Sequence, residues 1–247
     1  MKPLQNLDII IHNTTIQSRY TEKLPGVYPN DGYSGSVANQ KKYLVFKRLF
    51  DIVFSVVILL FLLSWLLPIL GLLIKLDSKG PVIFKQKRIG INGNLFVCLK
   101  LRTMNINEEA DEIPARENDY RVTRLGKFLR GTHLDELPQF FNVLAGQMSL
   151  VGPRPHMKAD CIRFSFVISS YSFRHFAKPG ITGWAQVKGY RGPTIDYESI
   201  INRYYWDAQY VRRVSFWLDV KIIALTILIS IYQCCGICFH LKKTDTK

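Results

Sequence analysis

The chain has 247 residues, 48% of them hydrophobic, and sets 33 Lys and Arg against 19 Asp and Glu, a formal net charge of +14. Such apolar content excludes a disordered chain and suffices for one domain with appendages. The charge points to an anionic partner, whether nucleic acid, a phosphorylated ligand or anionic lipid.

Residues 1–40 hold no compact apolar stretch and are rich in Asn, Gly, Ser and Tyr, so they read as a flexible arm rather than a signal peptide. Residues 52–74, "IVFSVVILLFLLSWLLPILGLLI", carry no charge and are long enough to cross a bilayer core as a helix. "KKYLVFKRLFD" before the run and "KLDSKGPVIFKQKR" after it are both basic, which fits two flanks on the cytoplasmic side. Pro68 removes a backbone donor and clashes with the preceding turn. The segment 41–76 is therefore expected to enter the membrane, bend and return, a straight or kinked crossing being the alternative.

From Gly80 the pattern is α/β. "VIFKQKRIG" and "LFVCLKLRTM" flank Asn92-Gly93, a hairpin signal. The basic residues Lys79, Lys85, Lys87, Arg88, Lys100 and Arg102 in this stretch suit a solvated edge or the binding of phosphate or lipid headgroups. "NEEADE" (Glu108, Glu109, Asp111, Glu112) opens a solvated polar loop. "RVTRLGKFLRGTHL" predicts a short basic helix with Leu125, Phe128 and Leu129 on one face, and Leu137, Phe140, Phe141 and Leu144 are spaced for an amphipathic helix. "SLVGPRP", the Gly- and Pro-punctuated "KPGITGWAQVKGYRGP" and a helix from about Tyr197 to Arg213 follow. The uncharged run Ile222 to Phe239 predicts a helix in the membrane interface or packed on the domain. Of the five cysteines, Cys98 and Cys161 are isolated and Cys234, Cys235 and Cys238 lie in this apolar tail, which fits a reducing setting and no disulfide framework.

"GTHLDELPQF" sets two carboxylates, Asp135 and Glu136, just before Pro138. Proline belongs in a helix's first turn, so the helix is expected to start near Leu134 or Asp135, with Asp135 as N-cap. Capping alone accounts for such a pair. Its surroundings suggest more: Arg88, Arg102, Arg121, Arg124 and Arg130 lie upstream, and Arg154 is held between Pro153 and Pro155. Guanidinium groups clamp phosphate oxygens in two-point contacts. Two carboxylates beside phosphate need a divalent cation between them, as Mg²⁺ is bound in many phosphate sites. Adjacent residues point apart, so one carboxylate could attack phosphorus while the other holds metal.

The pieces "KRLFDI", "KGPVIFKQKRIG", "LKLRTM", "RVTRLGKFLRGTHLDELPQFFNVLAGQMSLVGPRP", "KPGITGWAQV" and "SFWLDVKII" occur in that order. Over roughly residues 45–228 the chain thus resembles the bacterial sugar transferases, monotopic polyprenyl-phosphate phosphoglycosyl transferases. The resemblance implies transfer of a sugar-1-phosphate from a UDP-sugar to undecaprenyl phosphate at the cytoplasmic face of the bacterial inner membrane, with release of UMP, to start exopolysaccharide, capsule or O-antigen-type assembly. It implies Asp135 as a nucleophile forming a phosphosugar intermediate, and Glu136 beside it holding Mg²⁺. Lys100, Arg102, Arg124 and Arg154 become candidates for the phosphates, and Arg88 for substrate or lipid headgroup.

The expected architecture is a small cytoplasmic α/β domain with a β-hairpin and several amphipathic helices, anchored by an N-terminal re-entrant membrane helix. Its parts are the arm 1–40, the re-entrant helix hairpin 41–76, the catalytic domain 77–219 and a C-terminal apolar helix with basic tail 220–247. The resemblance implies the family's minimal catalytic unit, and a homodimer is compatible with it. The sequence departs from the family pattern in three places: Ser64 and Pro68 are separated where the family has a Ser-Pro pair, Lys188 stands for Asn, and Tyr120 for Pro. A nucleic-acid binder would carry its charge on a recognition helix or aromatic platform, so no nucleic-acid partner is expected. A basic membrane scaffold would not need Asp135 or Glu136. A glycosyltransferase moving sugar without phosphate would show Asp-x-Asp, and the sequence has none.

Overall fold

A computed structural model describes residues 41–106, 119–192 and 196–234. The N-terminal arm, the acidic loop with Glu108, Glu109, Asp111 and Glu112, and Cys235 and Cys238 of the tail lie outside the described residues.

The apolar run forms helix α1 (Lys41–Ile58), a π turn (Leu59–Leu63) and helix α2 (Ser64–Asp77). Together they make one 37-residue helix, long and apolar enough to cross a membrane, with only 17% of its most apolar stretch buried. Leu60, Phe61, Trp65, Leu72 and Leu76 stand exposed along it. A core helix of a soluble protein would have those side chains covered. Where a bend is expected, the helix continues and carries the π turn one turn before Pro68. Proline denies the carbonyl of Ser64 its partner, and the ladder relaxes ahead of it into the wider π turn, where the Ser64 hydroxyl donates to Leu60 O at 2.6 Å.

Both limbs of this helix bear on the same domain. In α1, Arg48 donates to the carbonyls of Val143 and Leu144, Asp51 accepts from Leu150 N at 3.0 Å, and Phe54 stacks on Phe140. In α2, Leu70 and Ile74 form a small core with Leu101 and Leu129. Arg102 fastens that limb's end, donating to Ile74 O at 3.2 Å, to Ser78 O and to Lys79 O at 2.8 Å. A guanidinium at a helix C-terminus meets carbonyls that the helix leaves unpaired.

Strands β1 (Ile83–Ile89) and β2 (Leu95–Leu101) pair antiparallel, with Ile83 opposite Leu101 and Arg88 opposite Phe96. Residues 90–94 turn the hairpin, with Asn92 (φ 54°) and Gly93 (φ 80°) both in the left-handed region that Asn and Gly adopt most readily. Helix α3 (Arg124–Gly131) follows, capped by Thr123, whose hydroxyl accepts from Gly126 N at 2.9 Å. Leu129 is fully buried and Leu125 packs beside it, but Phe128 is exposed, so the predicted apolar face is narrower than its spacing suggested.

Helix α4 is only Gln139–Leu144, and its buried residues are Gln139, Asn142 and Val143, with Phe141 exposed. Asn142 is inside because it completes the edge of β2: it accepts from Leu99 N at 2.9 Å and donates to Val97 O at 2.7 Å. The amphipathic spacing misjudged this face, since a side chain that replaces strand hydrogen bonds is buried for its polarity. A second, parallel pair joins β3 (Ser149–Val151) to β4 (Gly180–Thr182). Gly152 lets the chains meet there; a Cβ would lie 2.1 Å from Lys178 O.

Helices α5 (Lys158–Ser165), α6 (Trp184–Val187), α7 (Tyr197–Arg213) and α8 (Phe216–Cys234) complete the fold. The main core gathers Leu150, Val151, Phe164, Tyr171, Tyr204 and Ile222. The boundary expected at residue 220 falls inside α8. That helix is rooted in the domain by Asp219, which accepts from Tyr43 (2.7 Å), Lys47 (2.6 Å) and Tyr210 (2.8 Å). Further along, Ile227, Leu228 and Ile231 are exposed. The architecture is mixed helix and strand, with two-stranded sheets and one long apolar helix.

Candidate active site

Helix α3 ends at Gly131, and His133 takes a left-handed conformation (φ 61°, ψ 14°) that reverses the chain. Leu134–Glu136 then forms a 3-10 turn, with Leu134 packed on the Leu70–Ile74 core. Pro138, at φ −61°, is the N-cap of α4. The expected helix start at Leu134 or Asp135 is thus corrected to Gln139. The left-handed His133 gives the carboxylates a turn of their own, and neither caps α4.

Glu136 is buried and saturated. Its Oε1 accepts from Lys100 Nζ at 2.9 Å and from Arg154 Nη2 at 2.6 Å; its Oε2 accepts from Arg154 Nη1 at 3.3 Å and from Arg191 Nη2 at 2.9 Å. Burial alone would raise its pKa, but Arg154, Lys100 and Arg191 outweigh that and hold the carboxyl well below the usual range. Asp135 is the reverse case. Its carboxylate, 8% exposed, has no hydrogen bond or ion pair among the described residues. Burial pushes its pKa up and Glu136 adds to this, against the opposing pull of Lys100, Arg130 and Arg154. Neighbouring carboxyls whose environments drive them apart mark a division of roles.

The residues expected to bind phosphate divide in the same way. Lys100, from β2, and Arg154, from the Pro153–Pro155 segment, converge on Glu136. Arg88 is turned along β1 to Gln86 and Pro155 O (3.2 Å), next to the Arg154 segment, and burial lowers its pKa. Arg102 is committed to the end of α2 and is not brought to the carboxylates. Arg124 opens α3 as an exposed side chain, with no hydrogen bond or ion pair among the described residues. Arg130 reaches Thr103 Oγ1 at 2.8 Å, within electrostatic range of Asp135.

Sequence reasoning missed two features. The first is Arg191, in the loop after α6; its only signal was an arginine between glycines in a basic stretch, "KGYRGP". The second is a buried layer behind the site. Arg174 Nε and Nη2 donate to Asp207 Oδ2 at 3.0 and 2.7 Å, and Nη2 also donates to the carbonyl of Arg154 at 2.6 Å. His156 lies between Arg174 (3.2 Å) and Arg203 (3.4 Å), with the Tyr171 hydroxyl on its Nδ1. Arg203 in turn donates to the carbonyl of Gly192. Burial, then Arg174 and Arg203, hold His156 well below its usual pKa, as a neutral ring.

Both Glu136 oxygens being taken, Asp135 is the oxygen donor here still open to a divalent cation. Among the described residues no group of three or more His, Cys, Asp or Glu could enclose one. The donor set therefore fits Mg²⁺ only in the mode where a single carboxylate and substrate phosphates share it.

A family described as bacterial sugar transferase matches residues 42–233. A UDP-glucose:undecaprenyl-phosphate glucose-1-phosphate transferase of Klebsiella pneumoniae is 51% identical over 74% of this chain and 40% of its own length. A UDP-N-acetylgalactosamine-undecaprenyl-phosphate N-acetylgalactosaminephosphotransferase of Aeromonas hydrophila is 40% identical over 88% of this chain and 51% of its own. The exopolysaccharide production protein PSS of Rhizobium leguminosarum bv. phaseoli is 43% identical over 75% of this chain and 94% of its own. The chain thus spans about two fifths of the first of these relatives and about half of the second. The match runs from the foot of α1 through the Asp135–Glu136 turn to α8 and takes in every cation on Glu136: the chain belongs to the bacterial sugar transferase family.

Proposed function

We propose that this protein is an enzyme that transfers a sugar-1-phosphate from a UDP-sugar to a polyprenyl phosphate, undecaprenyl phosphate by analogy with its relatives, and releases UMP. The observation that carries the reading is the contrast at 135 and 136. Glu136 is fixed by three cations, while the buried carboxylate of Asp135 has no hydrogen-bond partner. A desolvated carboxylate beside fixed positive charge can attack a phosphate whose own charge is being neutralised.

In the proposed first step an Asp135 oxygen bonds to the sugar-linked phosphorus of the donor. The bond from that phosphorus to the bridging oxygen breaks, and UMP leaves with the oxygen. In the second step a lipid phosphate oxygen attacks the same phosphorus, frees the Asp135 carboxylate and forms the lipid diphosphosugar. Lys100 and Arg154 face the phosphoryl oxygens. Mg²⁺, where bound, would lie on Asp135 and the donor phosphates and offset their negative charge. The relatives are named for glucose and for N-acetylgalactosamine, which supports a UDP-hexose or UDP-hexosamine donor. The name of the Rhizobium relative supports a place in exopolysaccharide production.

The lipid substrate requires a membrane. We read the α1–α2 helix as re-entrant in the cytoplasmic leaflet, because both limbs grip one domain while Leu60, Phe61 and Trp65 about the π turn are bare. Incubating the protein with UDP-glucose and Mg²⁺, without lipid, should add one hexose phosphate to its intact mass, and Asp135→Asn should abolish the adduct. Unchanged mass together with normal turnover on added lipid would replace the two-step route by direct transfer.

A further inference from the structure

We propose that Arg191 is a ligand of the donor's diphosphate, leaving Glu136 for the phosphate oxygens when the nucleotide sugar binds; this rests on the transferase reading above. Three positive side chains meet at Glu136, and among the described residues Asp135 is the other carboxylate within electrostatic reach of Lys100 and Arg154. Even with both acids ionised, positive charge is left over in a partly buried site. Such a surplus is costly unless an anion joins it.

The three cations are not equally free to serve that anion. Lys100 projects from the paired end of β2, opposite Phe84 of β1. Arg154 spends two donors on Glu136, is flanked by prolines, and has its carbonyl tied by Arg174. Among the described residues the Arg191 side chain makes one hydrogen bond, to Glu136, and it is the most exposed of the three at 26%, against 22% and 17%.

Its backbone is arranged for movement about a fixed point. Gly189 has φ +92° and open space around it, and Gly192 has open space too. A turn between two unencumbered glycines can swing at small cost. Arg203, reaching from α7, meanwhile keeps the Gly192 carbonyl attached to the buried layer. Once a diphosphate brings negative charge, two-point contact with phosphate becomes available to Arg191, whereas Glu136 keeps Arg154 and Lys100.

The test uses the full chain in detergent or nanodiscs with UDP-glucose, undecaprenyl phosphate and Mg²⁺, following UMP release. Arg191→Ala is expected to raise KM for UDP-glucose roughly 10- to 100-fold, the usual weight of a charged hydrogen bond. KM for the lipid should stay within about twofold, since the lipid is not the ligand at issue. Arg191→Lys should recover part of the loss. UDP should raise the unfolding temperature of the wild type and do so much less in Arg191→Ala. An unchanged KM for UDP-glucose, equal increases in both KM values, or undiminished stabilisation by UDP would each overturn the proposal. A wild type that releases no UMP from any UDP-sugar would instead overturn the transferase reading, and this inference with it.

Discussion

Two arginine-rich clusters sit back to back in this molecule, and they are built on opposite plans. In the inner one, the donors of Arg174 and Arg203 are shared among Asp207, His156 and the carbonyls of Arg154 and Gly192. In the outer one, Lys100, Arg154 and Arg191 all converge on the one carboxylate of Glu136, and Asp135 beside it is left without a partner. Buried charge whose hydrogen bonds are met locally fixes a shape; buried charge in excess awaits a ligand. The clusters touch through the backbone, because the inner arginines hold the carbonyl of Arg154 and that of Gly192, next to Arg191. The inner layer thus sets where the outer cations stand.

That division can be broken most sharply with a pair of isosteric changes. Asp135→Asn removes the proposed nucleophile and should cut UMP release by on the order of 10³-fold or more, as loss of a nucleophile does elsewhere. Thermal unfolding should not fall, because a buried, unpaired carboxylate is being neutralised. Asp207→Asn should do the reverse to the fold. It leaves Arg174 buried without its counter-charge, which costs about 3–5 kcal/mol, read as a lower midpoint in denaturant. If Asp135→Asn unfolds the protein and Asp207→Asn does not, the two clusters have been assigned the wrong way round.

Arg154→Ala tests the boundary between them. Its side chain belongs to the outer cluster and its carbonyl to the inner. Truncation spares the carbonyl, so folding should persist while turnover falls by roughly 10²- to 10³-fold, the usual effect of removing one electrostatic contact to a developing charge. A variant with wild-type turnover would make Arg154 a turn residue only.

The outer cluster was the more legible in sequence. Asp135, Glu136, Lys100 and Arg154 stand in short motifs, and hairpins and helices follow from Asn92-Gly93 and from apolar spacing. What sequence could not give is where a long side chain ends. Arg102 and Lys100 are two residues apart on one strand, yet Lys100 joins Glu136 while Arg102 closes the end of α2. Asn142 was hidden for a related reason: its burial answers to the unpaired edge of β2, whose position is a tertiary fact. The inner layer left little local pattern, because His156 and Arg174 come from segments far in sequence from the α7 helix that carries Arg203 and Asp207. Pro138 signalled a helix start, but the left-handed His133 moved that start past both carboxylates.

The smallest expected effect concerns His156, and it separates the clusters by pH. In the unfolded chain a histidine takes up its proton near pH 6.5. In the fold, burial and the two arginines on either side of the ring keep it neutral to well below that. As pH falls through 6.5 the unfolded chain gains a proton that the folded one does not, so stability is lost at about 1.4 kcal/mol per pH unit until the folded pKa is reached. Glu136 has the same sign but a lower window, because a carboxyl held down loses its contribution only below the ordinary range near pH 4. His175, depressed to about 4 by burial and Arg174, contributes in the same direction as His156. The clean measurement is therefore a difference: the slope of unfolding free energy between pH 6.5 and 5 in the wild type less that in His156→Gln. Gln can still meet the Tyr171 hydroxyl and the guanidiniums but cannot take up a proton. The variant should show the shallower slope. Equal slopes would mean that the ring takes up its proton in the fold as it does in the unfolded chain, and the inner layer, where Arg174 and Arg203 already face Asp207, would then gain a further positive charge.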